Sequence, residues 1–455
     1  MAPGRRGRVD NMASAAEQLA SNLNLSAFAK ATELKQRLWF TLAALVVYRL
    51  GTYIPMPGID LVQYEAAFRS VQGGILDMFN MFSGGAVQRM AIFALNIMPY
   101  ISASIIMQLM TAVSPHLAQL KKEGEQGRKQ INQYTRYGTV ALASLQAYGI
   151  AVGLEAANVV LDPGWFFRLT TVITLASGTV FLMWLGEQIT ARGVGNGISL
   201  IIFSGIVAEL PRALVQALDM GREGILPGYV IMGLLVLIVA VIFAIVFMER
   251  SQRRLLVQYP KRQMGNKMMG GEKSHLPLKL NSAGVIPPIF ASSLLFLPAT
   301  MVGFAGSSPD LPGWVTWLTT SIGPGSALYM LLYASGIAFF CFFYTSIVFN
   351  PEDTADNLKK YGGFIPGIRP GKRTAEYIDY VLTRLTVVGA MYLVAVCLLP
   401  EYLRVAYQIP FYFGGTSLLI VVSVTMDTVA QIQSHLLAHQ YEGLIKKAKL
   451  RGARR

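Results

Sequence analysis

The sequence predicts an all-α polytopic membrane protein with ten transmembrane helices. Three observations predict this class: long uninterrupted apolar runs, a low content of charged residues, and lysines confined to alternate loops. Residues 228–248 carry no charge and would form a helix roughly 31 Å long, which matches the hydrocarbon thickness of a bilayer. The composition agrees, because 53% of the residues are hydrophobic and 14% are charged, with a mean hydropathy of +0.46.

Ten apolar segments can be assigned as spans from their length and composition. They cover residues 38–54, 90–113, 137–154, 166–185, 198–218, 229–248, 283–304, 326–349, 381–400 and 414–432. The second, seventh and tenth segments are the weakest of these as isolated spans.

The positions of the lysines predict the orientation of the spans. Every lysine lies before the first span, after the last span, or in the loops that follow the second, sixth and eighth spans. Loops rich in Lys and Arg stay in the cytoplasm, so both chain ends should be cytoplasmic, and the number of spans should be even. This topology, together with anionic lipid, explains most of the net charge of +14 without nucleic acid.

The start of the chain is expected to remain in the mature protein. Residues 1–12 lack the apolar core and cleavage pattern of a signal peptide, and either Met1 or Met12 is a candidate initiator. Residues 11–35 alternate apolar and polar residues near the helical period, which is consistent either with a helix on the membrane surface or with a solvated arm.

The ten spans divide into two halves of five. We expect a cytoplasmic arm at 1–35, a first half at 36–218 that includes a segment at 72–85, a second half at 219–435 with cytoplasmic loops at 249–282 and 350–380, and a basic cytoplasmic tail at 436–455. Because each half has an odd number of spans, an internal repeat would be inverted across the membrane plane. No repeat is visible in the sequence itself.

Motifs that carry chemistry are absent from the sequence: there is no metal-ligand spacing, no phosphate-binding glycine loop and no nucleophile elbow. The two cysteines, Cys341 and Cys397, lie in apolar runs and are expected to be buried thiols. The four histidines are isolated and are expected at interfaces or in solvent. We therefore expect no metal, no cofactor and no enzymatic activity.

Polar residues in the second, fifth, seventh and tenth spans should face protein or water rather than lipid. In one interpretation these spans line an interior path. In the other they pack through small residues and interhelical hydrogen bonds. Pro99, Pro287 and Pro288 favour bends, so the second and seventh spans are the ones best suited to separate.

The segment at 72–85 is too short to span a bilayer and too apolar for an exposed loop. We expect it to form a short helix tucked back into the protein on the outer side, either as a plain packing element or as a movable stopper. Its apolar residues are Ile75, Leu76, Met78, Phe79, Met81 and Phe82.

Long strings of the sequence closely resemble the SecY family, the channel subunits of the bacterial protein translocase. They include NMFSGGAVQRMAIFALNIMPYISASIIMQL, LMWLGEQITARGVGNGIS, HLPLKLNSAGVIPPIFASS and PFYFGGTSLLIVVSVTMD, and the resemblance covers about residues 34–448 in one register. The resemblance implies ten spans with cytoplasmic ends, arranged as two inverted halves of five with a short re-entrant plug helix.

The resemblance also implies a pore with a narrow apolar ring. By matching motif positions, the ring would be formed by Ile97, Ile101, Ile198, Ile202, Ile289 and Ile420. Isoleucine offers an ion no ligand, so such a ring resists wetting while its flexible side chains can fit around many polypeptide sequences. Segment 72–85 would be the plug that sits outside the ring at rest.

The same resemblance implies a lateral gate and a docking surface. The gate would lie between the second and seventh spans and include Asn96, Pro99, Ser104, Pro287 and Ser292. Cytoplasmic docking of the SecA motor or the ribosome would use Arg253, Arg254, Lys261 and Arg369. The chain departs from the family pattern at Asn96, where glycine is common, and at Pro288, where a small residue is common.

The function that follows is passage of unfolded polypeptides across the cell inner membrane and lateral release of transmembrane segments into it. The expected partners are SecE, SecG, SecA, the ribosome, polypeptide substrates and anionic lipids. The alternative from the residues alone is an ion-coupled transporter of small solutes, which needs buried carboxylates, and Asp427 is the best acidic candidate. A purely structural scaffold is a third class, but it would not need a polar path with bent walls.

Overall fold

The computed structural model describes residues 32–70, 75–224, 227–259, 262–264, 267–269, 273–305, 321, 326–407 and 415–452. Both candidate start residues, and most of the predicted arm at 1–35, lie outside these ranges. Most of the predicted apolar segments are helical within the described ranges, and the two halves each contain five long helices.

The first half contains five long helices and three short ones. Its elements are α1 (Thr32–Gly51), α2 (Leu61–Ser70), α3 (Ile75–Phe82), α4 (Met98–Val113), α5 (Pro115–Lys122), α6 (Glu125–Ala156), α7 (Trp165–Arg192) and α8 (Gly197–Arg222).

The second half contains five long helices, one short helix and four strands. Its elements are α9 (Gly228–Arg250), β1 (Gln252–Gln258), β2 (Arg262–Met264), β3 (Lys267–Met269), β4 (Lys273–Lys279), α10 (Ile286–Ala305), α11 (Ala327–Val348), α12 (Pro351–Lys360), α13 (Lys372–Tyr407) and α14 (Gly415–Gly452). The helix α14 continues through the predicted basic tail as far as Gly452.

Each of the ten predicted spans overlaps a long helix, although not all of these helices satisfy a length and apolarity criterion for crossing a membrane. Within the described residues seven helices do so, and an eighth span results if the bent pair α4 and α5 is counted as one. The helices α1 and α10 fall outside this set, so the number ten stays a prediction. The helix α9 is the most lipid-like, since 11% of its apolar window is buried.

The prediction of a continuous second span at 90–113 is wrong in its first part. Residues 84–97 form turns, and the helix α4 begins only at Met98. Met90 and Asn96 have positive φ angles of 42° and 48°, which an α-helix does not tolerate. At the other end, α4 and α5 are bent by 99° at Ser114, because a residue that precedes proline disfavours the helical conformation.

The two halves repeat one arrangement of neighbours. In both halves the second long helix packs on the third, the third on the fourth, the fourth on the fifth, and the first on the fifth. The halves meet along two seams. On one seam α4 and α6 contact α10, and on the other α8 contacts α9 and α14. The structure thus contains two sets of five long helices with the same order of neighbours, packed against each other along two seams.

The prediction of an all-α chain misses the strands in the loop that follows α9. Strands β1 and β4 pair antiparallel from Gln252 with Lys279 to Gln258 with Lys273, and β2 pairs with β3. The next loop joins this sheet, because Gln258 and Phe364 exchange two backbone hydrogen bonds of 2.9 Å. A separate apolar cluster formed by Leu255, Leu278, Ile365, Ile378 and Val381 lies beneath. The loops at 249–282 and 350–380 therefore fold together into one unit.

Candidate functional site

The short helix α3 is enclosed by the long helices, as predicted for segment 72–85. It contacts α8 from the first half and α10 from the second half. Phe79, Met81 and Phe82 are buried in the main apolar cluster, and the Ser417 hydroxyl of α14 lies 3.4 Å from the sulfur of Met81. The side chains of Ile75, Leu76 and Met78, and the whole of residues 71–74, lie outside the described part of the structure.

Three successive carbonyl oxygens at the end of α3 accept hydrogen bonds from side chains. The Asn96 amide donates to the Phe82 carbonyl at 2.7 Å, the Tyr48 hydroxyl donates to that of Ser83 at 3.2 Å, and the Arg49 guanidinium donates to that of Gly84 at 2.8 Å. Carbonyls at a helix end lack partners within the helix, so these donors fix the end of α3 in place. The sequence predicted a gate role for Asn96 but gave no signal for Tyr48 or Arg49.

A fourth side-chain donor holds the segment that follows this turn. The Tyr64 hydroxyl of α2 donates to the Val87 carbonyl at 2.7 Å, and burial raises the pKa of Tyr64 above its usual range. Tyr64 therefore stays protonated and remains a donor at physiological pH. The turn after α3 is thus attached to α1, α2 and the start of α4.

All six predicted ring residues belong to one apolar cluster or pack against it. Ile97, Ile101, Ile202 and Ile420 are between 1% and 6% exposed, and Ile198 and Ile289 are partly buried against the same cluster. They come from α4, α8, α10 and α14 and the residue before α4, so both halves contribute. These are the helices that also surround α3.

Ile198 has a second neighbour that the sequence did not predict. A Cβ placed on Gly186 of α7 would lie 3.1 Å from the Cγ1 atom of Ile198. The Ile198 side chain therefore borders α7 as well as the central cluster. Its membership of a pore ring stays a prediction.

The seam between α4 and α10 holds the predicted gate residues. Asn96, Pro99, Pro287 and Ser292 are buried, and Ser104 is half-buried and accepts a hydrogen bond from the Gln108 amide at 3.3 Å. The Ser292 hydroxyl bonds within α10 to the Ile289 carbonyl at 2.9 Å.

The contact across this seam comes from a residue pair that the sequence analysis did not select. The Ser293 hydroxyl lies 3.9 Å from the sulfur of Met98, one residue before Pro99. Such a contact is weak compared with a hydrogen bond to oxygen. The adjacent Ser292 was expected at the gate from the family resemblance, which did not reveal which serine faces α4.

The glycine-rich turn GVGNGIS before α8 is anchored to three other helices. The Thr41 hydroxyl of α1 accepts from the Val194 amide at 3.1 Å, the Thr190 hydroxyl of α7 accepts from Gly197 at 2.8 Å, and the Gln431 side chain of α14 accepts from Gly195 at 2.8 Å. The Gln431 contact links the two halves, whereas the other two contacts lie within the first half. The seam through α8 and α14 therefore carries a hydrogen bond between a backbone amide and an amide oxygen, which is stronger than the approach of Ser293 to Met98.

The predicted docking residues lie on the folded cytoplasmic-loop unit. Arg253 and Arg254 are exposed on β1, and Arg369 is exposed in the loop after α12. Lys261 lies outside the described residues. The pairing register places Arg254 on one face of the sheet together with Lys279, Lys273 and His275 of β4, all exposed. This face is basic and contains no carboxylate within the two paired strands.

The acidic residue required by the alternative function is not buried. Asp427 is exposed on α14 rather than enclosed between helices. Among the described residues there is also no group of three or more His, Cys, Asp or Glu side chains arranged to hold a metal ion. Asp427 therefore does not supply the buried carboxylate that the alternative function needs.

Comparison with known proteins identifies the family. The SecY family model matches residues 91–429. The chain is 58% identical over 421 residues to the protein translocase subunit SecY of Pseudomonas aeruginosa, covering 92% of this chain and 95% of that relative. It is 56% identical over 424 residues to SecY of Escherichia coli K12, covering 92% and 96% respectively.

Solved structures share the fold at low sequence identity. A protein-conducting channel superposes with a TM-score of 0.61 at 19% identity, covering 89% of this chain and 93% of that one. Two further neighbours with the same coverage are a SecY protein whose plug domain stabilises the closed state of the translocation channel, with a TM-score of 0.60 at 18% identity, and Sec61 in a canine ribosome–channel complex, with a TM-score of 0.57 at 18% identity. The chain belongs to the SecY family.

Proposed function

We propose that this chain is the central subunit of a protein-conducting channel, which passes unfolded polypeptides across the cytoplasmic membrane and releases transmembrane segments sideways into it. The observation that carries the proposal is the position of α3, lodged between α8 and α10 beside a cluster of isoleucines from both halves. A short helix with no lipid-facing role, buried where two movable halves meet, is suited to act as a plug.

The isoleucines Ile97, Ile101, Ile198, Ile202, Ile289 and Ile420 would form the narrowest part of the path. An apolar constriction resists wetting, so ions have no hydrated route through it at rest. The same side chains have several rotamers and can adapt around an extended polypeptide. The plug helix then adds a second barrier on the outer side.

The seam between α4 and α10 would be the lateral gate. Its contacts are apolar packing and the weak approach of Ser293 to Met98, whereas the opposite seam carries the hydrogen bond from the Gly195 amide to the Gln431 side chain at 2.8 Å. Opening at the weaker seam exposes a passing segment to lipid. Leucine-like residues then favour insertion by about 0.3 to 0.6 kcal/mol each, and a charge at the centre opposes it by about 2.5 to 3.5 kcal/mol.

The chain would act in the inner membrane with both ends in the cytoplasm, together with SecE and SecG. The distribution of lysines supports this orientation, and the anionic inner leaflet would attract the same basic loops. The sequence carries no phosphate-binding glycine loop, so a motor such as SecA or a translating ribosome would supply the driving force. The basic face of β1 and β4, which includes Arg254, would receive that partner together with Arg253, Lys261 and Arg369.

A transport assay tests this proposal. The complex with SecE and SecG is reconstituted in vesicles, and SecA with ATP is asked to move an unfolded secretory precursor to a protease-protected lumen. We expect protection with the wild type and a strong loss with Arg369→Glu, while Lys359→Glu on the exposed face of α12 serves as the control for charge. Absence of protection with the intact complex, under conditions where an established translocase gives it, would refute the proposal.

A further inference from the structure

The carbonyl of Phe82 is bonded differently from the other carbonyls at the end of α3. The carbonyls of Phe79, Asn80 and Met81 accept backbone amides from Ser83, Gly85 and Gly84 respectively, all within the turn that follows the helix. The Phe82 carbonyl instead accepts the side-chain amide of Asn96 at 2.7 Å. The last carbonyl of the plug helix is therefore bonded to a residue outside the plug and its turn.

Asn96 is attached directly to the gate helix. It precedes Ile97, the N-terminal cap residue of α4, and it is 2% exposed. Its φ angle of 48° is a left-handed conformation that asparagine tolerates better than most residues, so the side chain can be directed at Phe82 at small cost to the backbone. A shift of α4 must move Asn96 with it.

The neighbouring carbonyls are tied to a different part of the molecule. Tyr48 and Arg49, which bond to the carbonyls of Ser83 and Gly84, belong to α1, and α1 packs on α7, α8 and α14 rather than on α10. The turn after α3 is therefore held by α1, whereas Asn96 is joined to α4. Gly84 and Gly85 have φ angles of 66° and 82°, a left-handed backbone that glycine adopts without steric cost.

We propose that Asn96 is a positioning residue that couples the lateral gate to the plug: its hydrogen bond to Phe82 holds α3 in place while α4 is closed, and displacement of α4 breaks the bond and frees α3 to move away from the turn that α1 holds. The inference rests on the channel function proposed above. The Oδ1 atom of Asn96 is buried without a partner among the described residues, so the Phe82 contact is the polar interaction by which the amide is held.

The test compares ion leak through the resting complex in planar bilayers without substrate. Asn96→Gly removes the amide but retains a residue that adopts positive φ, and Asn96→Asp retains the shape but removes the donor. Loss of one net hydrogen bond should raise the leak roughly 2- to 10-fold in both variants. Asn158→Gly is the matched control, because Asn158 has a φ angle of 55° but lies exposed between α6 and α7.

A second measurement separates coupling from general loosening of the structure. The gate is locked by crosslinking cysteines introduced as Met98→Cys and Ser293→Cys. If Asn96 transmits gate movement, the locked wild type stays closed to ions, whereas locked Asn96→Gly still leaks because its plug is no longer tied to α4. The coupling role would be overturned if the ion leak of Asn96→Gly were no larger than that of the wild type. It would also be overturned if Asn158→Gly raised the leak equally.

Failure of this inference is distinguishable from failure of the channel proposal. The same vesicles are tested for protease protection of a precursor. If the wild type translocates the precursor and Asn96→Gly leaks no more ions than the wild type, the coupling role is wrong and the channel proposal is unaffected. If the wild type fails to translocate, the channel proposal falls and the coupling role falls with it.

Discussion

Single residues decide how closely the plug helix approaches the wall of the candidate pore. Gly205 of α8 faces the turn after α3, and a Cβ at this position would lie 2.8 Å from the Phe82 carbonyl oxygen and 3.3 Å from the Gly84 nitrogen. Real Cβ atoms do not approach backbone oxygen so closely. The absence of a side chain at Gly205 therefore allows the end of α3 to pack directly on α8.

The substitution Gly205→Ala tests this contact. The methyl group must displace the turn after α3, and overpacking of this kind costs about 1 to 3 kcal/mol. We expect a lower thermal unfolding midpoint for the purified complex and a larger resting ion leak. Gly149→Ala is the control, because a Cβ there meets no atom within 4 Å and alanine is favoured over glycine in a helix by about 1 kcal/mol. Equal behaviour of the two variants would contradict the close-packing role of Gly205.

At the residue scale the sequence predicted which side chains are buried better than it predicted which groups they contact. Apolar character selected Phe79, Met81 and Phe82 correctly as buried residues, because hydrophobicity is a property of the residue itself. The donors Tyr48 and Arg49 had no such signal, since their role depends on which carbonyls the fold brings near α1. The φ angle of Asn96 likewise depends on the path of the chain around the plug.

At the scale of elements, the seam between α4 and α10 is the joint that the proposed function requires to open. Both helices carry prolines near their first turns, Pro99 in α4 and Pro287 with Pro288 in α10. Proline is tolerated in a first turn but leaves no amide to bond there, so each helix starts abruptly beside the isoleucine cluster. The seam depends on packing rather than on strong polar bonds.

Crosslinking this seam tests lateral release. With Met98→Cys and Ser293→Cys joined, we expect an apolar transmembrane segment of a substrate to fail to enter the lipid, as measured by its resistance to alkaline extraction from the vesicles. The control joins Ala103→Cys to Gly138→Cys within the first half, where a Cβ on Gly138 would lie 3.5 Å from that of Ala103, near disulfide distance. Normal insertion through the locked seam would show that release occurs elsewhere.

Elements with a clear period and length were predictable, and irregular ones were not. The helices α6, α7, α8, α9 and α11 match their predicted spans because each is a long apolar run bounded by polar residues. The start of the second span was mispredicted because residues 90–97 are as apolar as a helix but turn around α3. Strands β1 and β4 were missed because their stability comes from pairing with each other and from the apolar cluster beneath them.

At the scale of the whole molecule, the basic face of the loop unit lies beyond the end of α9 and is separate from the main apolar cluster. The face with Arg254, Lys273, His275 and Lys279 is exposed, whereas Leu255 and Leu278 on the other side are buried. Charged side chains on this exposed face can therefore be replaced without changing the packing of the long helices. A partner bound there would be recognised mainly by its negative charge.

Charge reversal on this face gives a prediction about binding. The double variant Arg254→Glu with Lys279→Glu should bind ribosomes or the SecA motor roughly tenfold more weakly at low salt, and the difference should shrink as salt screens the charges. Affinity of the complex in nanodiscs at two salt concentrations measures this. Arg222→Glu, exposed in the last turn of α8 at the end opposite to the GVGNGIS turn, controls for net charge. An unchanged affinity, or a loss that does not depend on salt, would show that this face is not the docking surface.

The two sets of five long helices were predictable from the number of apolar runs, whereas the orientation of the chain ends stays a prediction. Lysine distribution reports which side of the membrane a loop occupies, and the even number of spans follows from it. The contact between α4 and α10 was expected from the family resemblance. A single sequence does not show which of its helices are in contact. The same holds for the joining of the two cytoplasmic loops through Gln258 and Phe364.

The central claim is that a polypeptide passes through the isoleucine ring, and a site-specific crosslink tests it most directly. A precursor with one cysteine is stalled midway by a folded domain, and the channel carries Ile101→Cys, Ile420→Cys or, as a lipid-facing control, Phe243→Cys on α9, where Phe243 is 73% exposed. We expect disulfides at Ile101→Cys and Ile420→Cys only when SecA and ATP are present, and none at Phe243→Cys. Crosslinks absent from both ring positions, or equally frequent at Phe243→Cys, would contradict passage through the ring.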